Sequence, residues 1–180
     1  MAELVLVIHT LTALVFFIAG VGKARHPLAL QGVVANYRVL PAFAVKPLAF
    51  LLAPVEIAIA AALLSAAPPK GDFAAGGLLA LFSLAMAINI RRGRSHIDCG
   101  CFQSTLRQPL SWILVARNLG LLLLLGVAAL VPERPLSALE AAEALVAGTV
   151  LFVIIQSLNV VLQGVPMPPR QRAFRAGDQE

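Results

Sequence analysis

Apolar residues in this chain come in long uninterrupted blocks separated by short polar segments, not in alternation with polar ones. Five blocks stand out, at residues 4–22, 47–67, 73–90, 110–131 and 138–164. Each is long enough to cross about 30 Å of hydrocarbon as an α-helix. Their continuity excludes the alternating pattern of membrane β-strands. The pattern predicts an all-α, polytopic membrane bundle of about five transmembrane helices.

Between the first two blocks, residues 31–40 are only partly polar. They predict a short helix lying on the membrane, with Tyr37 at headgroup depth and with Pro27 and Pro41 bracketing it. Residues 1–164 read as one transmembrane domain. Residues 165–180 are Pro-rich, then basic and polar, and read as a mobile tail. Glu3 is the only charge before Lys23, so the first block lacks the basic leader of a signal peptide and is expected to be a retained helix.

Composition agrees. Of 180 residues, 59% are hydrophobic and only 13% charged, with a mean hydropathy of +0.88. A soluble domain of this size carries more charged surface. The net charge of +5 would suggest nucleic acid in a soluble protein. Here the basic residues lie between apolar blocks and form no basic stripe interleaved with aromatics, so anionic lipid headgroups are the expected partner and nucleic acid is not.

The distribution of charge orients the bundle. Lys23, Arg25, Arg38 and Lys46 follow the first block, Arg91, Arg92, Arg94 and Arg107 follow the third, and Arg170, Arg172 and Arg175 lie in the tail. Those segments share one side of a five-helix topology, and the other side holds only Lys70 and Arg134. The positive-inside rule then predicts a bacterial inner-membrane protein with its N-terminus outside and the loop after the third block inside.

That loop contains the only two cysteines, Cys99 and Cys101, in the stretch Asp98-Cys-Gly-Cys-Phe102. Thiols this close can join only in a tight ring, and the intervening glycine supplies the backbone freedom the ring needs. A strained disulfide is more oxidising and more labile than a structural one. Nearby arginines, His96 and the start of the following helix place positive charge around the thiols, which favours thiolate. The functional expectation is a redox-active dithiol; the bland one is a pair of apolar loop cysteines. His96, Asp98, Cys99 and Cys101 also offer metal-ligand chemistry, although a closed tetrahedral zinc site draws on two separated pairs.

Two charges lie inside the blocks. Glu56 is nine residues into the second, roughly 14 Å deep. Arg117 lies at a compatible depth in the fourth, with Asn118 beside it. An intramembrane carboxylate is costly unless paired, so a Glu56–Arg117 ion pair is expected, either fixing helix packing or lining a polar pocket beneath the loop. His9 in the first block reads as a hydrogen-bonded bundle residue.

Several of these stretches together resemble a known family. Phe17-Ile-Ala-Gly-Val-Gly-Lys23, Tyr37-Arg-Val-Leu-Pro41 and Pro54-Val-Glu56 resemble the opening of the MauE/DoxX membrane proteins. Asp98-Cys-Gly-Cys-Phe102 with Arg117-Asn118 narrows the resemblance to the MauE branch, over about residues 4–130. The family motif usually continues with glycine, where this chain has Gln103. The resemblance implies a redox-associated membrane protein, linked to maturation of the disulfide-rich small subunit of methylamine dehydrogenase alongside a thioredoxin-like partner. The architecture is similar to the four-helix cores of thiol–quinone oxidoreductases such as disulfide-bond protein B. Those carry more than one cysteine pair. With one pair, this chain needs a thioredoxin-like protein for the second, or a quinone at the loop itself. A non-catalytic membrane scaffold and a metal-handling subunit are the alternatives.

Overall fold

A computed structural model describes residues 1–65, 70–100, 109–132 and 135–164. The described residues form six helices: α1 (Ala2–Arg25), α2 (Pro27–Asn36), α3 (Ala42–Leu64), α4 (Lys70–Arg91), α5 (Trp112–Ala128) and α6 (Ala138–Gly164). Among them α1, α3, α4 and α6 are long and apolar enough to cross a membrane. α5 is the shorter apolar helix, with 17 residues, or about 26 Å at 1.5 Å per residue. The chain is therefore an all-helical, multi-pass membrane bundle. The tail at 165–180 lies outside the described residues.

Helix ends follow local chemistry. Ser137 and Glu140 cap α6 reciprocally: the Ser137 backbone N–H donates to Glu140 Oε2 at 2.8 Å, and the Glu140 N–H donates to Ser137 Oγ at 3.3 Å. Ser111 caps α5 by accepting from the Leu114 N–H. Within the spans, Thr10, Thr12 and Ser83 turn their hydroxyls back onto the carbonyls of Leu6, Ile8 and Leu79. Those bonds satisfy the hydroxyls where no water is at hand.

α1 is the central element. It packs most extensively against α3 and α6, while α4 packs against α5. One apolar cluster, including Leu11, Phe16, Leu63, Leu79, Leu125 and Phe152, ties all five long helices together. Close approach of α1 to α3 depends on Gly20, where a Cβ would meet Ile57 Cγ1 at 2.8 Å and the Ala53 carbonyl at 3.1 Å. The outward faces, with Phe50, Leu123, Val146 and Val161 among them, are apolar and exposed, as lipid-facing surfaces require.

Two expectations change here. α1 does not end near Gly22 but continues to Arg25, so Lys23 is not a loop charge; it is a helical residue only 3% exposed. The amphipathic segment expected at residues 31–40 is helical earlier, as α2 at Pro27–Asn36. Pro27, with its φ preset, starts α2 rather than preceding it.

Candidate functional site

The site is built at the end of the bundle where α1 finishes, α3 begins and α4 leads into the cysteine loop. After Arg91 the chain turns through Gly93, whose φ is +74°. The Arg94 N–H donates to the Asn89 carbonyl at 2.9 Å. Asp98 then pairs with Pro109 in an isolated antiparallel bridge, and the Leu110 N–H donates to the Ile97 carbonyl at 3.0 Å. The bridge draws together the two ends of the segment that holds both cysteines. Ile97 and Leu110 are buried beside it, so the closure is anchored in apolar packing.

Cys99 follows the bridge and is 7% exposed. It belongs to a cluster with Met86, Ile97, Leu110, Leu114 and Val115. Its Sγ lies 3.9 Å from Met86 Sδ. Of the arginines expected around the thiols, Arg91 and Arg92 are exposed, Arg94 is half-buried and Arg107 lies outside the described residues; the Cys99 thiol itself sits in this apolar cluster. Cys101, with residues 101–108, lies outside the described residues.

α2 clamps the loop from the side. The Tyr37 hydroxyl donates to the Cys99 carbonyl at 3.1 Å. Gly100 has φ +71°, and a Cβ there would stand 2.9 Å from Val33 Cγ1. The glycine between the cysteines thus meets two local demands, a left-handed backbone and contact with α2.

The expected Glu56–Arg117 pair is not the ion pair found. Glu56 is held by Lys23, whose Nζ donates to Oε1 and Oε2, both at 2.8 Å. Both residues are almost fully buried. Lys23 is the better placed partner because Gly20, one turn earlier, brings the two helices into contact beside Glu56. Arg117 instead donates from Nη2 to Asn118 Oδ1 at 3.3 Å, and Asn118 is buried. The Lys23 Nζ also stands 5.7 Å from the Phe82 ring centroid, in cation–π range.

Between these groups lies a cleft of about 260 Å³. α3 contributes Leu48, Leu51, Leu52 and Val55, and α4 contributes Leu78, Leu81, Phe82, Ala85 and Met86. Lys23 lies at its inner side, while Cys99, Gly100 and Tyr37 are on its loop side. Neither Arg117 nor Asn118 lines it. Of the remaining sequence candidates, Asp98 serves in the bridge and His96 is exposed. Among the described residues no three His, Cys, Asp or Glu side chains gather as a metal site. A second intramembrane contact links the other end of α1 to α4: His9 Nε2 lies 2.8 Å from Asp72 Oδ1.

Sequence reasoning missed Lys23. The available signal was its register: Phe16, Gly20 and Lys23 share one helical face, so the lysine continues a buried stripe.

Sequence comparison finds relatives over most of the chain. The family model for methylamine utilisation protein MauE matches residues 1–131. The methylamine utilization protein MauE of Paracoccus denitrificans is 44% identical over 152 residues, covering 83% of this chain and 82% of its own. That of Paracoccus versutus is 40% identical over 162 residues, covering 88% and 87%. That of Methylophilus methylotrophus is 38% identical over 163 residues, covering 86% and 83%. No solved structure matches. The family match over residues 1–131, with relatives 38–44% identical across more than four fifths of both chains, places this protein in the MauE family of methylamine utilisation proteins.

Proposed function

We propose that this chain is a membrane thiol–disulfide exchange protein, with Cys99 and Cys101 as its working dithiol. The observation that carries the reading is the framing of Cys99 at one end of the bundle. A β-bridge, a left-handed glycine and the Tyr37 hydroxyl all act on the residues immediately around one thiol. A structural disulfide between Cys99 and Cys101 would close almost no chain and so add little stability. In the exchange, one thiolate attacks a partner's disulfide and the other resolves the mixed disulfide, leaving Cys99–Cys101 oxidised and the partner reduced; the reverse steps oxidise a partner. A thioredoxin-like protein supplies the partner disulfide. The client is a disulfide-rich protein such as the small subunit of methylamine dehydrogenase, consistent with the methylamine utilisation role of the family.

The bundle resides in the bacterial inner membrane with the cysteine end inward. With Lys23 removed from the count, Arg25, Arg38, Lys46, Arg91 and Arg92 are still exposed at the cysteine end. The opposite end carries only Lys70 and Arg134 as basic residues. This asymmetry supports the orientation.

Replacing both Cys99 and Cys101 with Ser tests the chemistry. Loss of mature client with normal membrane levels of the variant is expected; an unaffected client would leave a scaffolding role. Membrane-impermeant maleimide on sealed, reduced cells tests the orientation. The cysteine loop is expected to stay unlabelled, and labelling would place it outside.

A further inference from the structure

The cleft between α3 and α4 is apolar, elongated and open to lipid. Its lining runs along α3 from Leu48 to Val55 and along α4 from Met86 back to Leu78, a rise of about 10–12 Å on each helix. Leu51, Val55 and Leu81 line it and are all exposed. They belong to helices long and apolar enough to cross a membrane, so an occupant reaches the cleft from the lipid phase. Among the described lining residues Lys23 alone is charged, and Glu56 matches that charge at 2.8 Å. The deep part of the cleft therefore calls for no anion.

The mouth differs. Tyr37, Val39 and Leu40 line the cleft at its loop end, so Arg38 stands between two lining residues. Arg38 is exposed and has φ +46°, a left-handed conformation that few residues with a Cβ adopt. Arg92 adjoins it: Arg92 Nη1 donates to the Arg38 carbonyl at 3.4 Å. The Arg92 N–H still bonds the Ile88 carbonyl, so Arg92 continues α4. It stands two turns beyond the cleft-lining Ala85, on the same face. Two exposed arginines thus adjoin where the groove reaches the surface. The bond between them takes only one of the five N–H donors of Arg92. Against these arginines the described loops at this end carry one acid, Asp98.

We propose that this cleft seats one anionic membrane phospholipid, with its phosphate at Arg38 and Arg92 and one acyl chain running down between α3 and α4. A guanidinium offers a phosphate two parallel hydrogen bonds as well as charge. A cavity of roughly 150 Å³ takes up benzene, so about 260 Å³ holds about ten carbons of one chain, and the remainder continues into the bilayer. The seat is independent of the thiol-exchange reading, since no cysteine chemistry enters it.

The test is native mass spectrometry of the purified full-length protein, freed from detergent after incubation with phosphatidylglycerol or phosphatidylcholine of equal chain length. One phosphatidylglycerol is expected to stay bound, at least tenfold more than phosphatidylcholine. Arg38→Gln with Arg92→Gln is expected to bring the two lipids to near parity. Arg25→Gln with Arg91→Gln removes equal charge from the same end, on residues off the cleft face, and is expected to leave the preference intact. All four positions are exposed, so the fold is retained. Ala85→Phe and, separately, Leu51→Trp fill the cleft from its two walls, and each is expected to cut phosphatidylglycerol retention about tenfold. Equal retention of the two lipids by the unaltered protein would overturn the proposal. So would equal losses from the two arginine pairs, which would mark a diffuse basic surface. Displacement by glycerol phosphate or by palmitate as effective as by phosphatidylglycerol would also overturn it, by showing that head or chain alone suffices.

Discussion

Both ends of α1 bury a basic side chain against a carboxylate, and the two pairs are built differently. His9 meets Asp72 of α4 through a single 2.8 Å contact. Lys23 meets Glu56 of α3 through two. The first lies outside the cleft-lining set, whereas Lys23 lines the cleft alongside Cys99. A buried charge pair is weak evidence of stabilisation in itself, since desolvation offsets its attraction. What separates the two pairs is where they sit. One joins helices; the other joins helices and also faces a space that a ligand can enter.

Removing one member of each pair probes that difference. Glu56→Ala strands the Lys23 ammonium and is expected to destabilise the bundle by roughly 3–5 kcal/mol, read as a lower melting temperature in detergent. Lys23→Met with Glu56→Gln is expected to recover most of that stability without recovering client maturation. Recovery of both would reduce the pair to a helix fastener. Asp72→Ala is expected to cost about 1–3 kcal/mol, the usual penalty for a buried polar group losing its partner. Cysteine chemistry should be unaffected, so a thiol defect in Asp72→Ala would erase the functional contrast between the ends.

Two smaller changes act only at the cysteine end. Gly100→Ala imposes a left-handed φ on a residue with a Cβ and presses on Val33. An expected local cost of about 1–2 kcal/mol should speed alkylation of Cys99. Adding Val33→Ala relieves the contact but not the φ, so recovery should be partial; full recovery would show that crowding alone requires the glycine. Tyr37→Phe deletes the hydrogen bond to the Cys99 carbonyl, worth about 1 kcal/mol. A modest rise in alkylation rate is expected, and no change would remove Tyr37 from the frame.

The spans were legible because hydrocarbon imposes length and continuity on sequence. The blocks at 73–90 and 138–164 lie within or coincide with α4 and α6, and the block at 110–131 contains α5. The block at 47–67 starts late because Lys46 looks like a loop residue, yet it lies in the first turns of α3. The interior pairing was not legible. Depth along a helix follows from counting residues, and on depth alone Arg117 suited Glu56. Rotation about the helix axis and the identity of the neighbouring helix do not follow from counting. Lys23 was read as an orienting loop charge because a lysine at the edge of an apolar block ordinarily is one. The cysteine loop was legible as chemistry, since the residue types announce it. Its tie to α2 depends on tertiary contacts from Val33 and Tyr37 that leave no local trace.

The α1–α3 ion pair also constrains how the protein is made. Lys23 and Glu56 are separated by 33 residues, and the ribosome delivers the lysine first. Until α3 emerges, the long lysine stem can keep its ammonium in the headgroup region. Glu56 cannot reach the interface so easily from the interior of its helix, and so needs Lys23 beside it on insertion. α1 and α3 are therefore expected to settle as a hairpin, with α1 reaching its final depth only when its counter-charge arrives. The residue at the side of the cleft would thus act first as an assembly checkpoint during biogenesis.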